Sequence, residues 1–240
     1  MKISKNKKWF INQVGVAPVY SNSTFKSECV TELVFGESCL IIEKVGKWVK
    51  IRTDDKYEGF VNLFYGIIDF KRNREQYYVT NPDSKGLFSA KYPFGSVVTS
   101  NFNGAQKKKE KFNIDLVIPT AENLKGLPYR WGGKSSLGFD CSGLVQAVFK
   151  VCGLDIPRDS GNQFDFFRSQ RIPMIETKPG DLHFFGKENQ ISHVGFSLGG
   201  DQILHSHGYV KEESIKANKV LLEIYLSSCS IKRKFLNEIT

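Results

Sequence analysis

The first quarter of the chain alternates apolar and polar residues in short runs about ten residues apart, the spacing of strands in a small all-β barrel. Turn-forming segments, KVGKW and TDDKY, lie between some of these runs. The candidate strands are GVAPVY, CVTELV, SCLIIE, WVKIRT and YEGFVN. We therefore predict a β-rich domain over residues 1–66.

The segment from FGESCLIIEKVGKWVKIRT to YEGFV resembles the bacterial SH3-like domain. Residues 67–111 continue with two weaker strand patterns, QYYVT and GSVVTSNF, which are too few for an independent core. We interpret this part as a reduced second SH3-like unit or as a connector packed on its neighbours. The lysine-rich run at 107–111 contains no aromatic residues, so we interpret it as a solvated linker.

Over residues 112–240 helical patterns come first and alternating strands follow, as in an α+β domain. The clearest helix begins after Asp140, a residue type that caps helix N-termini, and ends at Gly153, a frequent stop signal. Apolar residues recur on one face of this helix, at Leu144, Val145, Val148, Phe149 and Cys152. The whole chain is thus predicted to be α+β, with a β-barrel region followed by an α+β domain.

Cys141 falls in the first turn of that helix, in the stretch GFDCSG. Backbone N–H groups at a helix start carry partial positive charge, which lowers the pKa of a thiol placed there. We expect Cys141 to be a reactive thiolate, and the flanking Gly138 and Gly143 to leave room for a substrate backbone. The other cysteines are expected to pack as reduced thiols, since an odd total of five excludes a fully paired disulfide scaffold.

A nucleophilic cysteine needs a base, and all four histidines follow the predicted helix start. Three lie in SHVGFSLGGDQILHSHG, which predicts a hairpin around residues 199–201. With a three-residue turn, His193, His205 and His207 share one face; with a two-residue turn, His193 lies on the opposite face. The pattern favours a pair of histidines without choosing between His205 and His207. We expect the fourth, His183, to be structural.

Several motifs occur in one order: LPYRWGGKSSLGFDCSGLVQAVFKVCGLDIPRDSGNQF, PGDLHFF, SHVGFSLGG and ILHSHG. Between Leu127 and Gly208 they resemble the NlpC-type, papain-like cysteine peptidases of bacterial cell-wall metabolism. With the SH3-like region, the resemblance extends to the subgroup, similar to dipeptidyl-peptidase VI, that cleaves γ-D-glutamyl bonds in peptidoglycan peptides. Arg130 and His183 depart from the family, which usually has apolar residues at these positions.

The resemblance implies a role for each member of a catalytic set. Cys141 matches the nucleophile of the DCSG motif, His193 the base of the HVG motif, and His205 the polar residue that orients the base. His207 competes with His205 for the orienting role. A zinc site made of Cys141 and the three hairpin histidines is the alternative chemistry, but we expect no metal and no organic cofactor.

The resemblance also implies a set of substrate-binding residues. Tyr129 matches a tyrosine that lines the oxyanion site, with Trp131 beside it, and aromatic packing is the alternative. Asp140, Ser142 and Ser160 match positions that bind the peptide and carboxylate groups of the substrate. Helix capping is the alternative, or an additional, role for Asp140 and Ser160.

The implied activity is that of a γ-D-glutamyl-diamino acid endopeptidase acting on small peptidoglycan peptides in recycling. In the subgroup the SH3-like domain closes one end of the cleft, and an acidic residue there meets the free amine of the substrate's N-terminal L-Ala. Glu58 is our candidate, with an exposed turn carboxylate as the alternative. For the whole protein the alternatives are a degenerate wall-peptide-binding protein, or an amidase or acyltransferase on the same fold.

The net charge of +9 has three interpretations. The protein could attract nucleic acid, it could attract a small substrate rich in carboxylates, or its surface could simply be basic. We expect a small muropeptide as the partner, with no nucleic acid, no membrane and no obligate protein partner. No run approaches the ~20 apolar residues of a membrane span. Asn12 and Gln13 interrupt the apolar core that a signal peptide requires, so we expect a cytoplasmic protein.

Overall fold

The computed structural model describes residues 7–73, 77–81, 88–98, 102, 104–107 and 109–231. The chain divides into two compact units, Met1–Lys108 and Lys109–Thr240. The first is built from strands and the second from helices and strands, which confirms the predicted fold class. Among the described residues, none of the helices combines the length and the apolar character that a bilayer crossing requires.

The described residues of the first unit place seven strands in one antiparallel sheet, in the order β3-β2-β6-β5-β4-β1-β7. The strands are β1 (Trp9–Asn12), β2 (Val16–Tyr20), β3 (Cys29–Val34), β4 (Ser38–Val45), β5 (Trp48–Arg52), β6 (Glu58–Asn62) and β7 (Gly66–Asp69). The five from β2 to β6 fall on the predicted runs. Their inward positions form a core with Phe10 of β1, which also includes Val19, Leu33, Val49, Ile51 and Val61.

A smaller sheet follows in the same unit, with strand order β10-β8-β9. It contains β8 (Tyr77–Val79), β9 (Val97–Val98) and β10 (Ala105–Lys107). The first two lie on the predicted patterns QYYVT and GSVVTSNF, although residues 76 and 99–101 of those patterns are outside the described residues. Lys107, predicted as linker, instead ends β10 opposite Tyr77.

The second unit contains a short two-stranded sheet and a larger sheet with the order β13-β18-β14-β15-β16-β17 over the described residues. Its strands are β11 (Lys134–Ser135), β12 (Gly138–Phe139), β13 (Arg171–Ile172), β14 (Leu182–Lys187), β15 (Gln190–Gly199), β16 (Gln202–His207), β17 (Tyr209–Ser214) and β18 (Tyr225–Cys229). Its helices are α1 (Val117–Glu122), α2 (Cys141–Val151), α3 (Ser160–Phe167) and α4 (Lys219–Ile224). Both α2 and α3 pack against β15.

Helix α2 is the predicted helix, and its apolar face is buried as expected. The ring of Phe149 packs edge-on against Phe196 of β15, with the ring centroids 5.3 Å apart. The side chain of Asp140 caps the helix by accepting a hydrogen bond of 2.6 Å from the backbone N–H of Gly143. Gly153 follows the helix with a φ of +98°, a conformation that favours glycine.

The glycines beside Cys141 serve packing within the fold, and the expectation that they leave room for a substrate is wrong. A Cβ atom on Gly143 would lie 2.1 Å from the backbone oxygen of Gly133. Gly138 has a φ of +140°, and a Cβ there would lie 2.6 Å from the Cβ of Arg130. The start of α2 is therefore held by close backbone contact with the loop before it.

Gly143→Ala should lower the free energy of unfolding by about 2 kcal/mol or more, because the added methyl group meets a backbone oxygen that cannot rotate away. Gly161→Ala in α3 is the matched control, since its Cβ would have no neighbour within 4 Å and alanine raises helix propensity. Thermal unfolding of both variants checks this. Equal stability of the two would contradict the packing role of Gly143.

Candidate active site

The hairpin that carries the histidines has a two-residue turn. By alternation alone, a turn of this length would place His193 on the opposite face from His205 and His207. Strand β15 ends at Gly199 and β16 begins at Gln202, so Gly200 and Asp201 form the turn. A β-bulge between Ser197 and Gly199 restores the alternation. Because the bulge adds one residue to one strand, His193 still lies on the same face as the two histidines of β16.

The three hairpin histidines form a cluster, with ring centroids between 4.9 and 5.8 Å apart. His193 Nε2 lies 2.7 Å from His205 Nδ1, which is hydrogen-bond distance. The side chain of His205 is fully buried, whereas that of His207 is 54% exposed. The structure thus brings His205, and not His207, into direct contact with a ring nitrogen of His193.

Cys141 opens the first turn of α2 and faces the same cavity as His193. This cavity has a volume of about 340 Å³. It is lined by Tyr129, Cys141, Ser192, His193, His207, Gly208, Val220, Leu221 and Ile224. The sulfur accepts hydrogen bonds from the backbone N–H groups of Val194 and Ser142. A thiol and an imidazole therefore meet in one cleft of the second unit.

The expected low pKa of Cys141 is not found. Burial is the main cause that raises the pKa of the Cys141 thiol to about 11, and the nearby Asp140 carboxylate raises it further. Hydrogen bonds from two backbone N–H groups act in the opposite direction but do not outweigh burial. A thiol with this pKa is protonated at neutral pH.

The histidine pair is also neutral at rest. Burial lowers the pKa of His193 to about 3, and the rings of His205 and His207 lower it further. Burial likewise lowers the pKa of His205 to about 4, although Glu213 opposes the shift. A neutral imidazole beside a neutral thiol is a competent general base, so proton transfer would accompany attack by the sulfur.

Tyr129 is in the cavity, as expected for a residue near the reacting atoms. Burial, followed by the proximity of Cys141 and Asp140, raises the pKa of its hydroxyl to about 12. The hydroxyl is thus protonated at neutral pH and is available as a hydrogen-bond donor. Trp131 is 64% exposed and is not one of the residues that line the cavity.

Asp140 and Ser142 lie behind Cys141 in the interior, where both are engaged with Arg158. The Arg158 guanidinium forms a buried ion pair with Asp140, with Nη2 2.5 Å from Oδ2. Its Nη1 lies 3.0 Å from both Asp140 Oδ1 and Ser142 Oγ. The structure thus gives Arg158 a structural role in a buried ion pair.

Ser160 does not cap a helix, contrary to the alternative role considered for it. It is the first residue of α3, whose N-cap is Asp159. The Ser160 hydroxyl donates a hydrogen bond of 3.2 Å to the backbone oxygen of Ile191 in β15. His183 is buried in the sheet with Nδ1 2.8 Å from Ser228 Oγ, and burial lowers its pKa to about 4, consistent with a structural residue.

Glu58 lies at the start of β6, in the first unit, and carries two ion pairs. Lys50 Nζ is 2.9 Å from its Oε2, and Arg52 Nη2 is 2.6 Å from its Oε1. Hydrogen bonds from these two residues lower the pKa of the Glu58 carboxyl. The candidate for amine recognition is therefore an ionised carboxylate that already has two cationic neighbours.

Sequence reasoning missed Glu213 and the apolar wall of the cavity. Glu213 Oε1 lies 2.6 Å from His205 Nε2, on the side of the ring away from His193. The alternation in YVKEES could have indicated this, because β17 pairs directly with β16 and Glu213 shares a face with His205. The apolar wall comes from α4, which supplies Val220 and Leu221.

Within the described part of the chain, potential metal ligands come together at His205, His207 and Glu213, whose ligand atoms lie within 4.8 Å of one another. Cys141 is not in this group. The zinc alternative built on Cys141 is thus not the arrangement that the fold assembles. All five cysteines lie in the described residues, and none of them forms a disulfide.

Two family models match the chain, one in each unit. The NlpC/P60 family model matches residues 126–226. The model of the bacterial dipeptidyl-peptidase SH3 domain matches residues 19–63. The SH3 match includes the strands β3 to β6 of the first unit. The NlpC/P60 match includes the cavity residues from Tyr129 to Ile224, and thus the candidate site.

Three known proteins illustrate what this chain is similar to. The γ-D-glutamyl-L-lysine dipeptidyl-peptidase of Bacillus subtilis (strain 168) is 29% identical over 244 residues, 85% of this chain and 81% of the relative. The NlpC/p60 domain of the peptidoglycan hydrolase SagA is 32% identical, covering 50% of this chain and 99% of that domain, with a TM-score of 0.44. An NlpC/P60 family protein from Bacillus cereus ATCC 10987 has the same fold, with a TM-score of 0.75 at 19% identity over 92% of this chain and 99% of that one.

Alkylation of Cys141 by iodoacetamide should rise about tenfold for each pH unit from neutral pH upward, because the thiolate fraction of a thiol with a pKa of about 11 grows in that way. Mass spectrometry of the labelled peptides separates Cys141 from the partly exposed Cys29. Cys141→Ala is the control for the assignment. A rate that is already constant at pH 7 would show instead a resting thiolate.

Proposed function

This chain belongs to the NlpC/P60 family of cysteine hydrolases that act on peptidoglycan peptides, and from that premise we propose that it cleaves the bond between γ-D-glutamate and a diamino acid. The proposed substrates are small peptides with a free N-terminal L-Ala. The relative from Bacillus subtilis and a second one from Bacillus cereus (strain ATCC 10987), which is 26% identical, are both named γ-D-glutamyl-L-lysine dipeptidyl-peptidase.

The observation that carries the proposal is the assembly of Cys141 and His193 in one cleft, with His205 directly behind His193. Cys141 and His193 line the cavity, and His205 holds the far nitrogen of His193 at 2.7 Å. A nucleophile, a base and a residue that orients the base are the parts that acyl transfer requires. Because all three are present, we prefer a peptidase to a degenerate peptide-binding protein.

The first chemical step would form a thioester. As the sulfur of Cys141 attacks the γ-carbonyl carbon of the D-glutamyl residue, His193 accepts the thiol proton, and His205 stabilises the orientation of the ring. The backbone N–H of Cys141 and the hydroxyl of Tyr129 would stabilise the negative charge on the carbonyl oxygen. His193 then returns the proton to the departing amine of the diamino acid, and the C–N bond breaks.

The second step would release the product. Water, activated by His193, attacks the thioester carbon, the C–S bond breaks, and the thiol of Cys141 is restored. An amidase would use the same steps on another amide, and an acyltransferase would replace water by an acceptor amine. These two alternatives are distinguished by the products formed from L-Ala-γ-D-Glu-L-Lys with and without an added amine acceptor.

The pair His205→Ala and His207→Ala tests the catalytic assignment. Loss of the ring that contacts His193 should reduce kcat by about 10²-fold or more, since a base in the wrong orientation or tautomer is ineffective. His207, which is half-exposed, should matter far less. Steady-state cleavage of the tripeptide measures both. If His207→Ala is the more damaging change, the orienting residue has been misassigned.

We further propose that an acidic group of the first unit recognises the free amine of the substrate, with Glu58 as the candidate. Its carboxylate is ionised and sits between Lys50 and Arg52, so a substrate ammonium group would have to compete with both. Recognition of this kind would exclude peptides whose N-terminus is still attached to glycan. The activity would then belong to recycling of muropeptides in the cytoplasm, with no nucleic acid, membrane or obligate protein partner.

Competition between L-Ala-γ-D-Glu-L-Lys and its N-acetylated form tests this recognition. The free peptide should be cleaved about tenfold or more faster in terms of kcat/KM, because acetylation removes one member of a charge pair. Glu58→Gln should reduce the preference while leaving alkylation of Cys141 unchanged. Equal cleavage of the two peptides by the wild-type protein would refute amine recognition by any residue.

A further inference from the structure

A hydrogen-bonded chain runs from the cavity to the far side of the hairpin. His193 Nε2 is 2.7 Å from His205 Nδ1, and His205 Nε2 is 2.6 Å from Glu213 Oε1. Both ring nitrogens of His205 are thus within hydrogen-bond distance of a partner, Nδ1 with His193 and Nε2 with Glu213. Since a neutral imidazole carries one proton, the direction of the two hydrogen bonds determines where each proton lies.

The carboxylate of Glu213, the last member of this hydrogen-bonded series, determines the direction of both hydrogen bonds. Glu213 is held in place by Asn218, whose Nδ2 donates to Oε2 at 3.0 Å, and by Lys211, whose Nζ lies 3.1 Å from Oε1. Burial opposes ionisation of Glu213, but hydrogen bonds from Asn218, Lys211 and His205 outweigh it and lower its pKa to about 2. An ionised carboxylate only accepts hydrogen bonds, so His205 Nε2 must carry the proton.

The protonation of the other ring nitrogens follows from that assignment. With its proton on Nε2, neutral His205 has an unprotonated Nδ1 and can only accept from His193. His193 Nε2 must then carry a proton, which leaves His193 Nδ1 unprotonated. That nitrogen is the one His193 has left to accept the proton of Cys141.

We propose that Glu213 is a positioning residue that fixes the tautomers of His205 and His193, and through them keeps His193 Nδ1 ready to accept the thiol proton. This inference rests on the proposed peptidase function and extends its catalytic set from three residues to four. Glu213 does not line the cavity and acts only through the two histidines.

The charge of Glu213 has a second effect, which is measurable apart from the tautomer. The groups that face the two rings are Cys141 and Tyr129 at the cavity, His207 on β16, and Lys211 and Glu213 on β17. Glu213 is the negative charge that acts on both histidines in this set. It therefore stabilises the imidazolium that forms when His193 takes a proton, and its removal should make protonation of the pair more difficult.

The test uses two substitutions that separate the acceptor from the charge. Glu213→Gln keeps an oxygen acceptor without the charge, whereas Glu213→Leu removes both. Glu212→Gln is the matched control, since the adjacent Glu212 pairs with Lys125 at 2.9 Å on the surface, away from the histidines. Long-range ¹H–¹⁵N NMR of the four histidines reports tautomer and protonation directly and needs no substrate.

In the wild-type protein and in Glu212→Gln, His193 and His205 should both carry their proton on Nε2. Glu213→Leu should populate the reversed chain, in which His193 carries its proton on Nδ1, and should lower kcat by about 10²-fold or more with KM within about threefold. Glu213→Gln should keep the wild-type tautomers and lose about tenfold in kcat.

Wild-type tautomers together with wild-type kcat in Glu213→Leu would overturn the proposal. If that variant does not fold, as judged by thermal unfolding, Glu213→Gln decides: an unchanged kcat in that variant refutes the role of the charge. If the wild-type protein does not cleave the tripeptide, the proposed substrate is wrong. The NMR measurements then still test the role of Glu213 by themselves.

Discussion

The carboxylate of Asp140 is the point on which the catalytic half of the molecule depends. It caps α2 through the N–H of Gly143 and pairs with the buried guanidinium of Arg158. A charge taken out of water must have such partners, and removal of either member of the pair would leave the other without compensation. Since the cap defines where α2 begins, it also defines Cys141 as the first residue of the helix. The placement of the sulfur thus follows from an ion pair that lies behind it in the interior.

Much of the fold could be predicted because burial repeats along the sequence. The alternation in β2 to β6 and the helical spacing in α2 both reflect one buried face, and both were correctly assigned. Strand β7 was missed because Ile67 and Ile68 are adjacent and both exposed, so no alternation marks it. Strand β1 is short and lies between β4 and β7, and such long-range pairing leaves little trace in local sequence.

The candidate site was predictable to the extent that it depends on local chemistry. The helix start placed Cys141. The hairpin was predicted, but the face of His193 depended on the length of the turn, which the sequence left open, and a bulge now sets it. The pKa of Cys141 was predicted in the wrong direction because local sequence shows the helix terminus but not the depth of burial. The ion pair of Asp140 with Arg158 could not be predicted, since a sequence separation of 18 residues does not reveal contact.

The buried state of the Cys141 sulfur has a consequence for the lifetime of the protein. Peroxide oxidises cysteine through the thiolate, and the sulfinic and sulfonic acids that follow are not readily reversed. Cys141 is 8% exposed and is protonated at neutral pH, so little of it is present as the thiolate with which small oxidants react. In the proposed mechanism, Cys141 becomes reactive only when His193 removes its proton during attack on a bound acyl group. The burial that raises the pKa of the Cys141 thiol would therefore also protect the sulfur from oxidation.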